Sequence, residues 1–157
     1  MIRSLSLDDM PQIDALARES LQEGFQFGVR WRDAVRATAT APDDAHAFFL
    51  GVFDGDALVA VGGVTRDPYV NEPGLGRVRH VYVAASERRR GFGRRLLGAL
   101  EARARLGYSS LRLRTDTQRA AAFYEALGYS RIEDADATHR RTLPAQDATQ
   151  DTVGGVR

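Results

Sequence analysis

Hydrophobic positions change their period several times along this 157-residue chain. Ile2-Arg3-Ser4-Leu5 alternates apolar and polar residues and predicts a short strand. Asp8 or Asp9 is placed to cap a helix through Ile13, Leu16, Ala17 and Leu21, whose spacing of three and four buries one face. Gly24 and Gly28 loosen the chain before a second helical stretch around Trp31 to Ala37, and Ala41-Pro42-Asp43-Asp44 reads as a loop. The run Phe48 to Phe53 and the stretch Leu58 to Thr65 predict two strands, joined by a hairpin turn at Asp54-Gly55. A longer loop from Asp67 to Gly76 leads into a strand from Arg77 to Val83. Strict alternation fails there near His80, which predicts a bulge or a change of burial.

Beyond it, Gly91 opens a helix that carries Phe92, Leu96, Leu97, Leu100 and Ala104 on one face, with Gly107 placed to end it. Leu111 and Leu113 alternate with Arg112 and Arg114, as in a strand. Thr117 to Leu127 predicts a short helix closed by Gly128, and Tyr129 to Ile132 and Thr138 to Leu143 predict the last strands. No internal repeat is visible. From Pro144 the sequence is small and polar without periodicity, so one domain over 1–143 and a disordered tail over 144–157 are expected. The order β-α-α-β-β-β-α-β-α-β-β predicts a mixed sheet with helices on its faces, an α/β or α+β layer fold.

Composition narrows the classes. Hydrophobic residues at 43% and charged residues at 27% are ordinary for a soluble globular domain. No apolar run is long enough to span a membrane, and the acidic turn at Asp8-Asp9 argues against a secretory signal, so a cytoplasmic protein is expected. The absence of cysteine removes disulfides, thiolate metal sites and a cysteine nucleophile. All 22 basic residues are arginine, which excludes a Schiff-base or P-loop lysine. His46 and His139 have no second ligand at metal spacing, so no metal is expected.

The net charge of +1 hides a segregation. Residues 1–76 carry −6, residues 77–119 carry +9 and residues 120–157 carry −2. A solvated arginine-rich surface, a polyphosphate ligand and nucleic acid all fit such a block.

The stretch Arg88-Arg89-Arg90-Gly91-Phe92-Gly93-Arg94-Arg95 lies between a strand and a helix start. Successive backbone N–H groups at a helix N-terminus bind anions, and glycine lets a pyrophosphate approach closely. It is not a dinucleotide fingerprint, because Leu96 stands at the third glycine position. An exposed arginine-rich helix start is the plain alternative.

A second motif lies downstream: Thr117-Gln118-Arg119-Ala120-Ala121-Ala122-Phe123-Tyr124-Glu125-Ala126-Leu127-Gly128-Tyr129. With Arg88, Gly91 and Gly93 and the preceding strand His80-Val81-Tyr82-Val83, the sequence over about 45–133 resembles the GNAT N-acetyltransferase superfamily. The resemblance implies a mixed, mostly antiparallel sheet of about seven strands flanked by about four helices. It implies acetyl-CoA as co-substrate, with the pyrophosphate on backbone N–H groups of Arg89, Arg90, Gly91, Phe92, Gly93 and Arg94, and Arg88 organising the loop. It places the pantetheine arm along Val81, Tyr82 and Val83, and an N–H near Val81 against the thioester carbonyl. Tyr124 would act as general acid toward the departing thiolate. Thr117 stands where the family has asparagine, and its shorter side chain reaches less far toward the pantetheine.

The family's usual place for a glutamate or histidine base falls on Arg77, which cannot serve. His80, Glu72 and Asp67 are the alternatives, and alternation turns His80 away from Arg77 and Arg79 unless a bulge intervenes. Capture of a neutral amine, or a water relay, needs no base. Arg77 and Arg79 point to an anionic acceptor if they face its cleft, and to solvent if they do not. Phe25, Phe27 and Trp31 wall the acceptor site or fill the core. The expected activity is acetyl transfer to a primary amine, of a small molecule or a protein, by direct attack in a ternary complex. The competing reading is a catalytically impaired module that binds CoA or RNA through the arginine-rich block, although the aromatics that would stack on bases are scarce there. An edge strand near the C-terminus makes a homodimer unsurprising.

Overall fold

The computed structural model describes residues 1–25, 28–39 and 44–145. The expectations for Phe27, for Ala41 to Asp43 and for the tail beyond residue 145 lie outside the described residues. Seven strands form one sheet: β1 (Ile2–Ser4), β2 (Phe48–Asp54), β3 (Ala57–Arg66), β4 (Leu75–Val83), β5 (Ser110–Leu113), β6 (Ser130–Arg131) and β7 (His139–Thr142). Their spatial order is β1-β2-β3-β4-β5-β7-β6. Every pairing is antiparallel except β4 with β5. Four helices cover it: α1 (Met10–Gln22), α2 (Gly28–Ala39), α3 (Phe92–Ala104) and α4 (Gln118–Ala126).

The two faces of the sheet bury separate clusters. On one face Leu96, Leu97 and Leu100 of α3 and Tyr124 of α4 meet Phe48, Leu50, Val64, Val78 and Leu111. On the other, Ile13, Leu16 and Ala17 of α1 and Trp31 and Val35 of α2 meet Phe49, Phe53, Val61 and Tyr82. This division follows from the period-2 alternation of the strands and the three-four spacing of the helices.

The irregularity at His80 is a β-bulge. Its φ of 56° is unusual for a residue with a Cβ, and the β3–β4 register jumps from Val61↔Tyr82 to Gly63↔Arg79. A Cβ on Gly63 would stand 2.5 Å from the Phe49 ring, so only glycine fits opposite the bulge.

Three local expectations are corrected. The first helix is entered through a 3-10 turn, Leu7–Asp9, and the Asp9 carboxylate accepts from the Ser6 N–H at 2.8 Å and from Arg3 rather than capping α1. Gly28 begins α2 instead of loosening the chain. Gly107 is not the left-handed residue that ends α3, since its φ is not positive. It is small because a Cβ would stand 3.0 Å from the Ala45 carbonyl and the His46 ring.

Candidate functional site

The parallel pairing of β4 with β5 is brief. It covers Leu75 to Arg77 against Ser110 to Arg112 and stops there. From Val78 to Val83, β4 keeps β3 on one side and has no strand on the other among the described residues. The Ala84 N–H donates to Val59 at 2.8 Å, so alternation turns the backbone groups of Tyr82 toward β3 and those of Val83 and Val81 outward. The Val83 carbonyl accepts from Arg88 Nε at 3.1 Å on that outer side. The result is a strand edge open between two splayed strands. Of the three positions expected along an extended ligand, Val81 and Val83 turn their backbone groups to this open edge. Tyr82 instead gives its backbone to Val61 and its side chain to the opposite face.

β4 runs directly into the loop that opens α3. Arg89 has φ 67° and Gly91 has φ 83°, two left-handed residues within three positions. This geometry points successive N–H groups into one concavity. The N–H groups of Gly91, Phe92, Gly93 and Arg94 meet no acceptor among the described residues, and the first helical bond is from Arg95 to the Gly91 carbonyl at 3.1 Å. The helix dipole adds partial positive charge at the same place. A Cβ on Gly91 would meet nothing within 4 Å, so the space above it is open. Arg88 ties the loop down: its guanidinium donates to Glu23 at 2.9 and 2.6 Å and lies over the Tyr82 ring. Arg90 pairs with Glu87 and with Asp54 and lies over Phe92. Arg89 and Arg94 are exposed. Together the loop is a concave cradle of unpaired N–H groups, the kind of geometry that binds anions, continuous with the open edge of β4.

Tyr124 lies on the α3 side of the sheet, edge-on to Phe123 and Tyr129 with ring centroids 5.1 and 5.5 Å away. Its hydroxyl takes no hydrogen bond from or to a described residue, and burial pushes its pKa up, so it stays protonated as a donor must. Thr117 is the N-cap of α4; its Oγ1 accepts from the Ala120 N–H at 3.1 Å. That bond anchors the helix bearing Tyr124 and occupies an acceptor lone pair of the hydroxyl.

The other face of β4 carries a different chemistry. Arg77 faces neither solvent nor an open cleft. It is buried, donates to Asp67 at 3.3 Å and to the Asp136 carbonyl at 2.7 Å, and lies over the Tyr69 ring. Arg112, its partner across β4–β5, bonds the same Asp67 at 3.0 Å and Asp134 at 2.9 Å. Asp67 is therefore no base: burial alone would raise its pKa, but the Arg112 guanidinium and the Tyr69 and Val70 N–H groups hold it below the usual value. Glu72 is likewise held low by Arg140.

The bulge turns His80 to the same face as Arg77 and Arg79, against the simple alternation. Its ring stacks on Phe49, which belongs to the α1–α2 cluster. Burial first, then the neighbouring arginines, lower its pKa to about 4, so it is neutral at physiological pH. Trp31 is wholly buried and belongs to the core, whereas Phe25 is partly exposed and meets Tyr82 edge-on at 6.0 Å. His139 is buried against Glu125 and Thr138. Among the described residues no group of three His, Cys, Asp or Glu is placed to hold a metal ion.

Sequence reasoning missed Glu19 and Glu23. Both accept from the Tyr82 hydroxyl, Glu19 at 2.5 Å, and Glu19 also receives the Ala85 N–H at 3.1 Å. Their i, i+4 spacing at the C-terminal end of α1 was the available signal. They clamp the C-terminal end of α1 to the end of β4 and, through Arg88, to the loop that opens α3.

The model of the acetyltransferase (GNAT) family matches residues 10–129. Over 91 residues the chain is 34% identical to the N-alpha-acetyltransferase RimI of Mycobacterium tuberculosis, covering 55% of this chain and 54% of that one. The chain spans about half, or less, of the length of the curated relatives it matches. Among solved structures, a protein of Exiguobacterium sp. 255-15 assigned as an acetyltransferase superposes with TM-score 0.75 at 26% identity, covering 100% of this chain and 98% of that one. The PaiA N-acetyltransferase of Thermoplasma acidophilum, solved in complex with coenzyme A, superposes with TM-score 0.69 at 18% identity over 90% of this chain and 98% of its own.

Proposed function

The chain belongs to the acetyltransferase (GNAT) family, and from that premise we propose that it moves an acetyl group from acetyl-CoA to a primary amine of a small molecule, by direct attack in a ternary complex. The observation that carries this reading is the continuity of four unpaired N–H groups, Gly91 to Arg94, with the unpaired edge of β4. An anionic head and an extended, amide-bearing arm fit that pair of features in one ligand. The PaiA structure, with coenzyme A bound to the same fold, supports the assignment. We place the protein in the cytoplasm on the same reading; among the described residues no helix is long and apolar enough to cross a membrane.

Acetyl-CoA supplies the activated thioester. The N–H groups of Gly91 to Arg94 hold the diphosphate. Val81 and Val83 pair with the pantetheine amides, and the Val81 N–H faces the thioester carbonyl oxygen and stabilises the charge that develops there. Tyr124 delivers its hydroxyl proton to the sulfur as the carbon–sulfur bond breaks and the nitrogen–carbon bond forms. Thr117 acts through α4, by fixing the helix that carries Tyr124. The amine loses its proton to solvent. Asp67 and Glu72 are ion-paired, and His80 is too weak a base to abstract it, so the acceptor is captured as the free amine.

An RNA-binding reading is disfavoured by the charge pattern in space. Arg77, Arg88, Arg90, Arg112 and Arg114 of the basic block each pair with an acidic side chain. Five of the twelve arginines between residues 77 and 119 are therefore paired, which breaks up the block as a continuous cationic stripe. The test is a calorimetric titration with acetyl-CoA at two salt concentrations, followed by a thiol-release assay with an amine panel. One-site saturable binding and amine-dependent thiol release are expected. Absence of binding at millimolar acetyl-CoA would refute the proposal.

A further inference from the structure

The bulge in β4 leaves one cation in an unusual position. Gly63 and Arg79 are paired, and a Cβ on Gly63 would point into the Phe49 ring, so Arg79 projects on the α1–α2 face together with His80. Arg79 is half-buried, yet its guanidinium makes no hydrogen bond or ion pair with any described residue. Asp67, the acid in its field, is already engaged by Arg77 and Arg112. Burial, and then the charges of Arg77 and Arg30, lower its pKa, as expected of a guanidinium without a counter-ion. A half-buried cation whose nearby acid is already engaged by two other arginines is costly unless a ligand neutralises it.

The position of Arg79 relative to the reacting centre defines which ligand. The diphosphate cradle and Tyr124 occupy the α3 side of the sheet, and the open edge of β4 begins one residue before Arg79, at Val78. The acceptor therefore approaches the gap from the α1–α2 side, where Arg79 stands. We propose that Arg79 is the acceptor-recognition residue, pairing with a carboxylate or phosphate carried by the amine substrate. This rests on the acetyltransferase reading above and names its substrate class. Arg77, the sequence-level alternative for the same role, is excluded because Asp67 and the Asp136 carbonyl already satisfy its guanidinium.

The test compares matched acceptors that differ in one charge: glycine with glycinamide, β-alanine with its amide, and phosphoethanolamine with ethanolamine. For the wild type, kcat/KM is expected to favour the anionic member, and the two anion types distinguish carboxylate from phosphate. In Arg79→Gln the ratio of anionic to neutral kcat/KM falls about tenfold or more, the scale of a charge-assisted hydrogen bond. Arg79→Lys retains part of it. The acetyl-CoA dissociation constant, measured in parallel, stays within about twofold of wild type. No anionic preference in the wild type, or an equal loss for both members in Arg79→Gln, overturns the proposal while leaving the acetyltransferase reading intact. Failure of acetyl-CoA to bind overturns both. If no panel member is turned over, the Arg79 Nε–H resonance of the CoA-loaded protein decides, titrated with acetate and with inorganic phosphate at constant ionic strength. A saturable shift, absent with chloride, supports the site, and no shift refutes it.

Discussion

Replacing Asp67 by alanine tests how the apex of the β4–β5 gap is held. The Asp67 side chain is fully buried and receives Arg112 at 3.0 Å, Arg77 at 3.3 Å and the N–H groups of Tyr69 and Val70 at 2.9 and 3.1 Å. Removing one partner from a buried ion pair costs roughly 3–5 kcal/mol, because it leaves an uncompensated charge behind. Here two guanidinium groups lose a counter-ion, but Arg112 keeps Asp134 and Arg77 keeps the Asp136 carbonyl. The lower half of the range applies, about 3–4 kcal/mol. For a domain of this size that lowers Tm by roughly 6–16 °C. Urea unfolding followed by circular dichroism reads the free energy directly. Asp67 has a lowered folded-state pKa, so its contribution is present at neutral pH and is lost as pH falls below the usual carboxylate range. The difference between variant and wild type should therefore shrink below about pH 4. Because Arg77 and Arg112 are the last paired residues before the strands part, the variant should also bind acetyl-CoA more weakly. A loss of less than about 1 kcal/mol, the scale of an exposed ion pair, would refute the reasoning.

Three further outcomes are expected. Tyr124→Phe should lower kcat by about 100-fold or more while leaving acetyl-CoA affinity unchanged. It should alter stability by less than about 1 kcal/mol, since the hydroxyl has no hydrogen-bond partner among the described residues to lose; a large Tm drop with retained kcat would reverse the assignment. Gly91→Ala forces a Cβ into φ 83°, costing roughly 1–2 kcal/mol, and should weaken acetyl-CoA binding in calorimetry about tenfold if the loop shifts as its strain predicts. His80 is neutral in the fold, with a pKa of about 4 against an ordinary 6.5. Protonation thus favours the unfolded chain, and stability present above about pH 6.5 is lost as pH falls toward 4, by up to about 3 kcal/mol. Thermal melts of His80→Gln against pH should show a flatter slope in that window, and an unchanged slope would contradict the burial argument.

What could be read from the sequence was what local spacing encodes. Gly91 and Gly93 before an amphipathic helix, and Thr117 to Gly128 around Tyr124, are short-range patterns, and the structure folds each within its own segment. Arg77 was illegible for the opposite reason. Its partners lie 10 residues before it and 59 after it, and the one that matters most is shared with Arg112, 45 residues from Asp67. No spacing rule joins an arginine on one strand to a loop carboxylate that two strands hold in common. His80 shows how a single residue defeats a period. One left-handed φ inserts an extra position into β4, so that 79 and 80 share a face while 81 and 83 keep the other. The same insertion that hid the orientation of His80 from alternation is what presents Arg79 beside the open strand edge. The bulge therefore serves both substrates. On one side of β4 it keeps Val81 and Val83 aligned for an extended arm, and on the other it sets a cation where an acceptor must arrive. Flattening the bulge with His80 kept in the strand would reverse the faces of every residue before it. It would send Arg77 and Arg79 into the α3 core, whereas deleting His80 would restore the regular register and keep both arginines on the α1–α2 face.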